Sequence, residues 1–215
     1  MIAELLRDRQ FQELEKEYKF LSRARGETID SLDYVILDLE TTGLEPTIHE
    51  ITEIGAIKTK GTEITDLYST LIKPKEKITP EITRLTGIDN DMVADAPSLE
   101  TSLPKFLDYI GDAVLIAHNA DFDVAFLKAQ IKRFNNQQEL TNAVLCSVKL
   151  SRLLLPGLAN YKLHTVAAHL GFKVEKRHRA IGDVELTYQI WAKFLPMLKD
   201  KGIKTLKELQ ASIAQ

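Results

Sequence analysis

The chain has 215 residues, of which 44% are hydrophobic and 27% are charged. These proportions are typical of soluble globular proteins and argue against collagen-like, disordered and membrane-spanning classes. A net charge of −3 provides no overall positive field for nucleic acid, so such binding would depend on local patches. Cys146 is the only cysteine, which excludes an internal disulfide and a metal site built from several thiolates.

The first 25 residues predict an amphipathic helix. Phe11, Leu14, Tyr18 and Leu21 recur at spacings of three and four among charged residues. We expect this helix to dock on the protein's own core, and a partner or dimer contact is the alternative. The N-terminus lacks the apolar stretch of a signal peptide, and a single cysteine suits a reducing compartment, so we expect a cytoplasmic protein.

Three strands are predicted next, followed by alternating helices and strands. Alternating apolar residues indicate strands over 33–40, 50–60 and 64–73, joined as a meander with a tight turn at Gly61. Later predictions are helices over 97–111, 122–134, 163–172, 180–198 and 205–215, and a strand over 113–117. Residues 142–154 fit a strand or a helix equally well. This order predicts an α/β fold with a mixed sheet flanked by helices.

We divide the chain into three parts. Residues 1–30 form an N-terminal helical extension, residues 31–200 form the main domain, and residues 201–215 form a C-terminal helix. That last helix opens with a predicted capping box, Thr205 to Glu208.

Two carboxylates, Asp38 and Glu40, end the first predicted strand, although Asp is depleted in strands. Alternate strand residues point to one face, so these acids project together while Leu37 and Leu39 project to the other side. Neighbouring carboxylates repel each other, and a hard divalent cation is the economical counter-charge. For this pair taken alone, solvation at a strand end is the commoner explanation.

Two later segments place further titratable residues in similar settings. Asp123 begins the helix after the 113–117 strand, where a carboxylate meets the positive helix end, although a helix cap would look the same. His178 lies in a basic loop and Asp183 just inside the next helix. Five residues apart, they would occupy different helical faces, so we expect His178 to reach from the loop into a site that Asp183 helps to build.

The ordered set of D-x-E on a strand, F-D at a helix start and H-x-x-x-x-D at a later helix start resembles the three motifs of the DEDDh (DnaQ-like) 3′-to-5′ exonucleases. The similar segments are DLETTGL, ITEIGAI, LTGI, AHNADFDVAFL and HRAIGDVELT, within about Asp33 to Leu195. They resemble above all the exonuclease domain of the Gram-positive replicative DNA polymerase PolC and the epsilon proofreading subunit. The family's ribonuclease H-like fold, a mixed five-stranded sheet flanked by helices, agrees with the predicted elements.

The resemblance implies a metal-dependent enzyme that releases nucleoside 5′-monophosphates from the 3′ end of DNA, in proofreading or repair. It implies that two divalent ions, Mg²⁺ or Mn²⁺, are bound by Asp38, Glu40, Asp123 and Asp183, and that His178 is the general base. Two ions roughly 4 Å apart can stabilise both the attacking and the leaving oxygen of an in-line displacement. An imidazole with an ordinary pKa of about 6.5 can deprotonate a bound water near neutral pH.

Substrate contacts are also implied by the resemblance. They are Thr41, Thr42 and Gly43 beside the terminal nucleotide, Glu53 near its 3′ hydroxyl, and His118 and Asn119 after the short strand. As alternatives, Gly43 is a turn residue with positive φ, Glu53 faces water, and His118 and Asn119 form a helix cap and its neighbour. Basic residues around His178 are candidates for guiding the phosphate backbone, namely Lys173, Lys176, Arg177 and Arg179.

The expected partners are a nucleic acid with a free 3′ end, above all single-stranded DNA, and a DNA polymerase or another replication subunit. No membrane partner is expected. A 3′-to-5′ exoribonuclease is an alternative, because the contacts that distinguish a 2′-hydroxyl are not legible in the sequence. A non-catalytic nucleic-acid-binding subunit is a second alternative, but it should have lost an acid or the histidine, and all five residues are present.

Overall fold

The computed structural model describes residues 27–134, 139–173 and 179–214. The amphipathic helix predicted within the first 25 residues lies outside the described residues. So do His178 and its basic neighbours Lys176 and Arg177.

A five-stranded mixed sheet forms the centre of the structure, in the order β3-β2-β1-β4-β5. The strands are β1 (Asp33–Thr41), β2 (Ile51–Lys60), β3 (Glu63–Leu71), β4 (Val114–Ala117) and β5 (Val144–Cys146). The predicted antiparallel meander of β1, β2 and β3 is confirmed, with Gly61 at a φ of 59° in the second turn. Because β4 and β5 run parallel to β1, the carboxyl ends of all three strands lie at one edge.

Seven helices lie in the described part of the chain. They are α1 (Pro80–Thr86), α2 (Leu99–Ile110), α3 (Asp121–Phe134), α4 (Ser147–Leu154), α5 (Leu163–His169), α6 (Ala180–Asp200) and α7 (Leu206–Ile213). The ambiguous residues 142–154 are a short strand followed directly by a helix, β5 and α4. Helix α1 was not predicted, although Thr79 caps its start and Gly87 ends it at a φ of 71°.

The two faces of the sheet carry alternate residues of the same strands. On one face, Tyr34 and Ile36 of β1 lie in a buried cluster with Trp191 of α6. On the other face, Leu37 and Leu39 pack in a second cluster with residues of α2 and α3. Both faces of β1 are therefore covered by helices, and Asp38 and Glu40 near its carboxyl end are half-buried.

The C-terminal helix α7 packs on the same core as α6. Its predicted capping box is confirmed, because Thr205 Oγ1 accepts a hydrogen bond from the Glu208 N–H and Glu208 bonds back to the Thr205 N–H. Leu206 and Leu209 are buried in the cluster around Trp191. Among the described helices, none combines the length and apolar character needed to cross a membrane.

Candidate active site

The carboxyl end of β1 carries Asp38 and Glu40 on one face, as the alternation predicts. Asp38 lies opposite Gly55 of β2, and Glu40 lies opposite Glu53. Directly opposed residues of an antiparallel pair share a face, so both strands present these positions to the same side of the sheet.

Gly55 allows α6 to approach this face closely. A Cβ at this position would lie 2.9 Å from the carbonyl carbon of Ala180 and from the backbone nitrogen of Ile181. Since α6 begins at Ala180, the close approach brings its first turn, which carries Asp183, over the strand end. One carboxylate oxygen from each of Asp38, Glu40 and Asp183 lies within 4.8 Å of the others.

Asp123 approaches the end of β1 from the side of β4, the neighbour of β1 that lies away from β2. It is 2% exposed and lies in the first turn of α3. Its Oδ1 accepts a hydrogen bond of 3.1 Å from the backbone N–H of Leu39, the residue between the two acids of β1. The four acids expected to act together are therefore gathered at one strand end, with Asp123 bonded to the strand backbone beside the group of three.

Burial and mutual repulsion raise the pKa values of these acids. Burial, followed by the charges of Asp123 and Glu40, raises the pKa of Asp38 well above its usual range. Burial and the charge of Asp183 raise the pKa of Glu40 to about 8, and burial raises the pKa of Asp123 to about 7.

A divalent cation fits this donor set. Among the described residues, no lysine or arginine lies within ion-pairing distance of Asp38, Glu40 or Asp123. The donors are carboxylate oxygens, which hard cations such as Mg²⁺ and Mn²⁺ prefer. The acidic cluster can therefore hold a divalent metal.

Glu53 is a buried acid of a different kind, since it is 1% exposed and has its cation within the protein. The Arg179 guanidinium donates three hydrogen bonds of 2.6–3.1 Å to the two oxygens of this carboxylate. The Ala180 N–H donates a fourth, at 3.0 Å. This Glu53–Arg179 clasp fastens the start of α6 to β2. Sequence reasoning missed it, and placed Arg179 among the phosphate-guiding residues instead.

The turn after β1 is held by its own side chains. Thr41 Oγ1 donates to the carbonyl of Gly43 at 2.6 Å, and Thr42 Oγ1 accepts from the Glu50 N–H at 3.0 Å. The alternative that Gly43 provides a positive φ is wrong, because its φ is not in that region. A Cβ there would lie 2.3 Å from the imidazole of His49, so a larger residue would need that side chain to move.

His118 and Asn119 lie at the carboxyl end of β4. His118 Nδ1 is 2.8 Å from Ser147 Oγ, and the ring also hydrogen-bonds the backbone of Tyr161. Burial lowers the pKa of His118 to about 4, so the ring is neutral at physiological pH. Asn119 is exposed with a φ of 65°, and its carbonyl accepts from the Phe122 N–H as α3 begins.

The central strand of the mixed sheet ends in clustered carboxylates, a donor set that can hold a divalent metal. The family model described as exonuclease (RNase_T) matches residues 35–191. The PolC-type DNA polymerase III of Caldanaerobacter subterraneus is 44% identical over 192 residues, covering 88% of this chain and 14% of that protein. The DNA polymerase III epsilon subunit of Aquifex aeolicus is 36% identical over 165 residues, covering 77% of this chain and 81% of that protein. The chain belongs to this exonuclease family.

The structure of Exonuclease X in complex with 5′-overhanging duplex DNA is similar over 84% of this chain and 99% of that chain. The TM-score is 0.64 and the sequence identity 26%. The expected ribonuclease H-like architecture, a mixed five-stranded sheet flanked by helices, is confirmed. The chain spans only 14% of the length of the PolC-type relative from Caldanaerobacter.

Proposed function

We propose that this protein is a metal-dependent 3′-to-5′ exonuclease that acts on single-stranded DNA and releases nucleoside 5′-monophosphates. The observation that carries the proposal is the approach of the Asp38, Glu40 and Asp183 carboxylates to within 4.8 Å of one another. Asp123 lies beside them through its bond to the strand backbone. The relatives named as DNA polymerase III proteins, and the DNA in the Exonuclease X complex, support DNA as the substrate.

The four acids would hold two divalent ions, Mg²⁺ or Mn²⁺. Four carboxylates carry about as much negative charge as two divalent ions carry positive charge, so a nearly neutral centre can accept an anionic phosphodiester. Such ions, when bound, lower the pKa of a water molecule and stabilise charge on the departing oxygen. The protein keeps the carboxylates close together, and the approach of α6 at Gly55 brings Asp183 towards the two acids of β1.

His178 is the proposed general base. Its imidazole takes the proton of the attacking water, a suitable task for a group with an ordinary pKa of about 6.5. A new bond forms between the water oxygen and phosphorus, and the bond from phosphorus to the 3′ oxygen of the preceding nucleotide breaks. The 5′-phosphate therefore leaves with the released nucleotide, and a new 3′ hydroxyl remains on the strand.

The candidate substrate contacts divide into two groups. Thr42, Gly43 and Asn119 are partly or fully exposed at the strand ends, where they can contact a nucleotide with Thr41 beneath them. Glu53 and His118 are hydrogen-bonded within the protein. We therefore assign these two residues to shaping the site from below.

The named relatives support a proofreading role beside a polymerase. Residues 31–200 would be the catalytic unit, and the flanking residues 1–30 and 201–215 would be available to a polymerase or another replication subunit. A cytoplasmic location agrees with that role and with a single cysteine.

The test is digestion of 5′-labelled single-stranded DNA and RNA of matched sequence with Mn²⁺ or Mg²⁺. We expect a ladder that shortens from the 3′ end of DNA, and no ladder in EDTA or with His178→Ala. His169→Ala, which removes an exposed histidine of α5, is the matched control and should retain activity. Faster digestion of RNA would favour an exoribonuclease. Absence of cleavage by folded, metal-loaded protein would favour a binding subunit.

A further inference from the structure

The sequence between Glu139 and Glu175 contains no acidic residue. Lys149, Arg152, Lys162 and Lys173 give this segment four formal positive charges in a chain whose net charge is −3. A local excess of basic residues in an otherwise acidic protein is typical of a surface that binds a polyanion. The segment forms β5, α4 and α5, next to the carboxyl end of β4.

The sheet register places this basic segment beside the acidic cluster. Ile36 of β1 pairs with Ile116 of β4, and the same register continued by two residues puts Asp38 next to His118. His118 is hydrogen-bonded in turn to Ser147, the first residue of α4. Adjacent strands lie about 4.8 Å apart, and α4 begins directly after β5, two strands away from β1. The start of α4 is therefore roughly 10 Å from β1.

The opposite side of Asp38 is closed. There β2 places Gly55 opposite Asp38, and the backbone of Ala180 and Ile181 lies directly on that glycine. A DNA strand whose 3′ end reaches the acids can therefore run over His118 and away from β2. This course also leads a phosphate chain away from the carboxylates that repel it.

A groove of about 390 Å³ lies on this course, and His118, Asn119, Arg152, Tyr161 and Lys162 line it. The Arg152 guanidinium lies 5.7 Å above the centre of the Tyr161 ring. The ring is fixed in turn, because its hydroxyl donates to the carbonyl of Leu155 at 3.2 Å. Stacking occupies the flat face of a guanidinium and leaves its N–H edge available for phosphate oxygens.

Arg152 and Lys162 are exposed, and no acidic group among the described residues pairs with either of them. We propose that the groove between α4 and the start of α5 binds the phosphates of single-stranded DNA upstream of the scissile bond, through Arg152 and Lys162. This inference rests on the proposed exonuclease function and adds where the rest of the strand lies. On this proposal the groove contributes to substrate binding and not to the chemical step.

The test compares an Arg152→Ala/Lys162→Ala variant with a Lys105→Ala/Lys128→Ala control. The control removes two exposed lysines from α2 and α3, which cover the other face of the sheet. Each protein is assayed on a single-stranded oligonucleotide and on the nitrophenyl ester of thymidine 5′-monophosphate, which has no upstream nucleotide. Equal melting temperatures establish that both variants fold.

Each lost phosphate contact should weaken binding roughly five-fold at about 0.1 M salt. We therefore expect the groove variant to raise KM for the oligonucleotide about 25-fold with kcat unchanged. The slope of log KM against log salt concentration should fall by about 1.4, since each contact to a single strand contributes about 0.7. Hydrolysis of the nitrophenyl ester should match the wild type.

Two results would overturn the inference in different ways. If the groove variant changes KM no more than the Lys105→Ala/Lys128→Ala control, or impairs the nitrophenyl ester as much as the oligonucleotide, the groove does not bind upstream phosphates and the exonuclease function stands. If the wild-type protein hydrolyses neither substrate with Mn²⁺, the proposed function fails and this inference fails with it.

Discussion

Two acids, the buried Glu53 and the half-buried Glu40, lie opposite each other on neighbouring strands in different electrostatic surroundings. Glu53 on β2 accepts hydrogen bonds from Arg179 and Ala180, so its counter-charge is part of the fold. Glu40 on β1, directly opposite, lies among other acids, and its pKa rises to about 8. The difference separates an acid that holds the structure together from acids arranged to receive a cation from solution.

The comparison shows that burial of an acid does not by itself indicate function. Glu53 is as deeply buried as Asp123, but its carboxylate is hydrogen-bonded to Arg179, whereas burial raises the pKa of Asp123 to about 7. An ion pair inside the protein removes the need for an external ion. What marks the metal-binding candidates is that several carboxylates share one small volume.

The largest expected effect comes from breaking the acidic cluster. Asp38→Asn keeps the shape of the side chain but removes a metal ligand, so kcat/KM should fall at least about 10³-fold, since metal ions supply several kcal/mol of transition-state stabilisation. In EDTA at alkaline pH the same variant should melt at a higher temperature than the wild type, because one repelled charge is gone.

The matched control for this variant is Asp200→Asn, an exposed aspartate at the end of α6 that should change neither property. Full activity of Asp38→Asn with Mn²⁺ would contradict the assignment of Asp38 as a ligand.

Breaking the Glu53–Arg179 clasp should have the next largest effect. Arg179→Gln leaves the buried Glu53 carboxylate without its cation, which should lower the free energy of unfolding by about 3 kcal/mol. The start of α6 would also lose its fastening, and loss of such a supporting contact lowers metal affinity or activity about 10- to 100-fold. Chemical denaturation and metal titration of activity would measure both effects.

A Glu53→Gln/Arg179→Gln double variant sharpens this test, because it removes both charges together. It should recover much of the lost stability. Equal destabilisation of the single and double variants would show that the unpaired carboxylate is not the cause.

A smaller effect is expected where α6 approaches β2. Gly55→Ala would place a methyl group against the backbone of Ala180 and Ile181, which should cost about 1–3 kcal/mol in unfolding free energy. Displacement of Asp183 by a few tenths of an ångström should lower activity roughly tenfold. The Mn²⁺ concentration for half-maximal activity measures this displacement. An unchanged metal requirement would show that Asp183 does not depend on the close approach.

The smallest expected effect is the pH dependence of the metal-free protein. Glu40 and Asp123 have folded pKa values of about 8 and 7, above their ordinary values, so the folded state binds more protons than the unfolded state up to about pH 8. His118, with its pKa lowered to about 4, acts in the opposite direction, but only below its ordinary pKa of about 6.5. The melting temperature in EDTA should therefore fall as the pH rises from about 6.5 to 8.

Metal binding in the same pH range should release protons, because the acids must ionise to coordinate a cation. Calorimetry in buffers of different ionisation enthalpy would count them. A metal-free protein that becomes more stable between pH 6.5 and 8 would contradict the raised pKa values.

Much of the fold was predictable from local patterns, and the misses have physical reasons. The long strands of the meander alternate clearly, whereas residues 142–154 change from strand to helix within a few residues, too few to show either period. Helix α1 was missed because seven residues cannot display a helical repeat, although Thr79 and Gly87 carried the signals of its ends. The assignment of His178 as general base stays a prediction.

The sequence alone determined which acids are present, their order, and the shared face of Asp38 and Glu40, because strand alternation is a local property of the backbone. Tertiary structure decided what each buried acid does. The bond from Leu39 to Asp123 and the clasp from Arg179 to Glu53 join residues that are 84 and 126 positions apart. Such pairs depend on sheet register and on the docking of helices, which no local pattern encodes. The same carboxyl group thus becomes a structural ion pair or a candidate metal ligand according to the residue that folding places beside it.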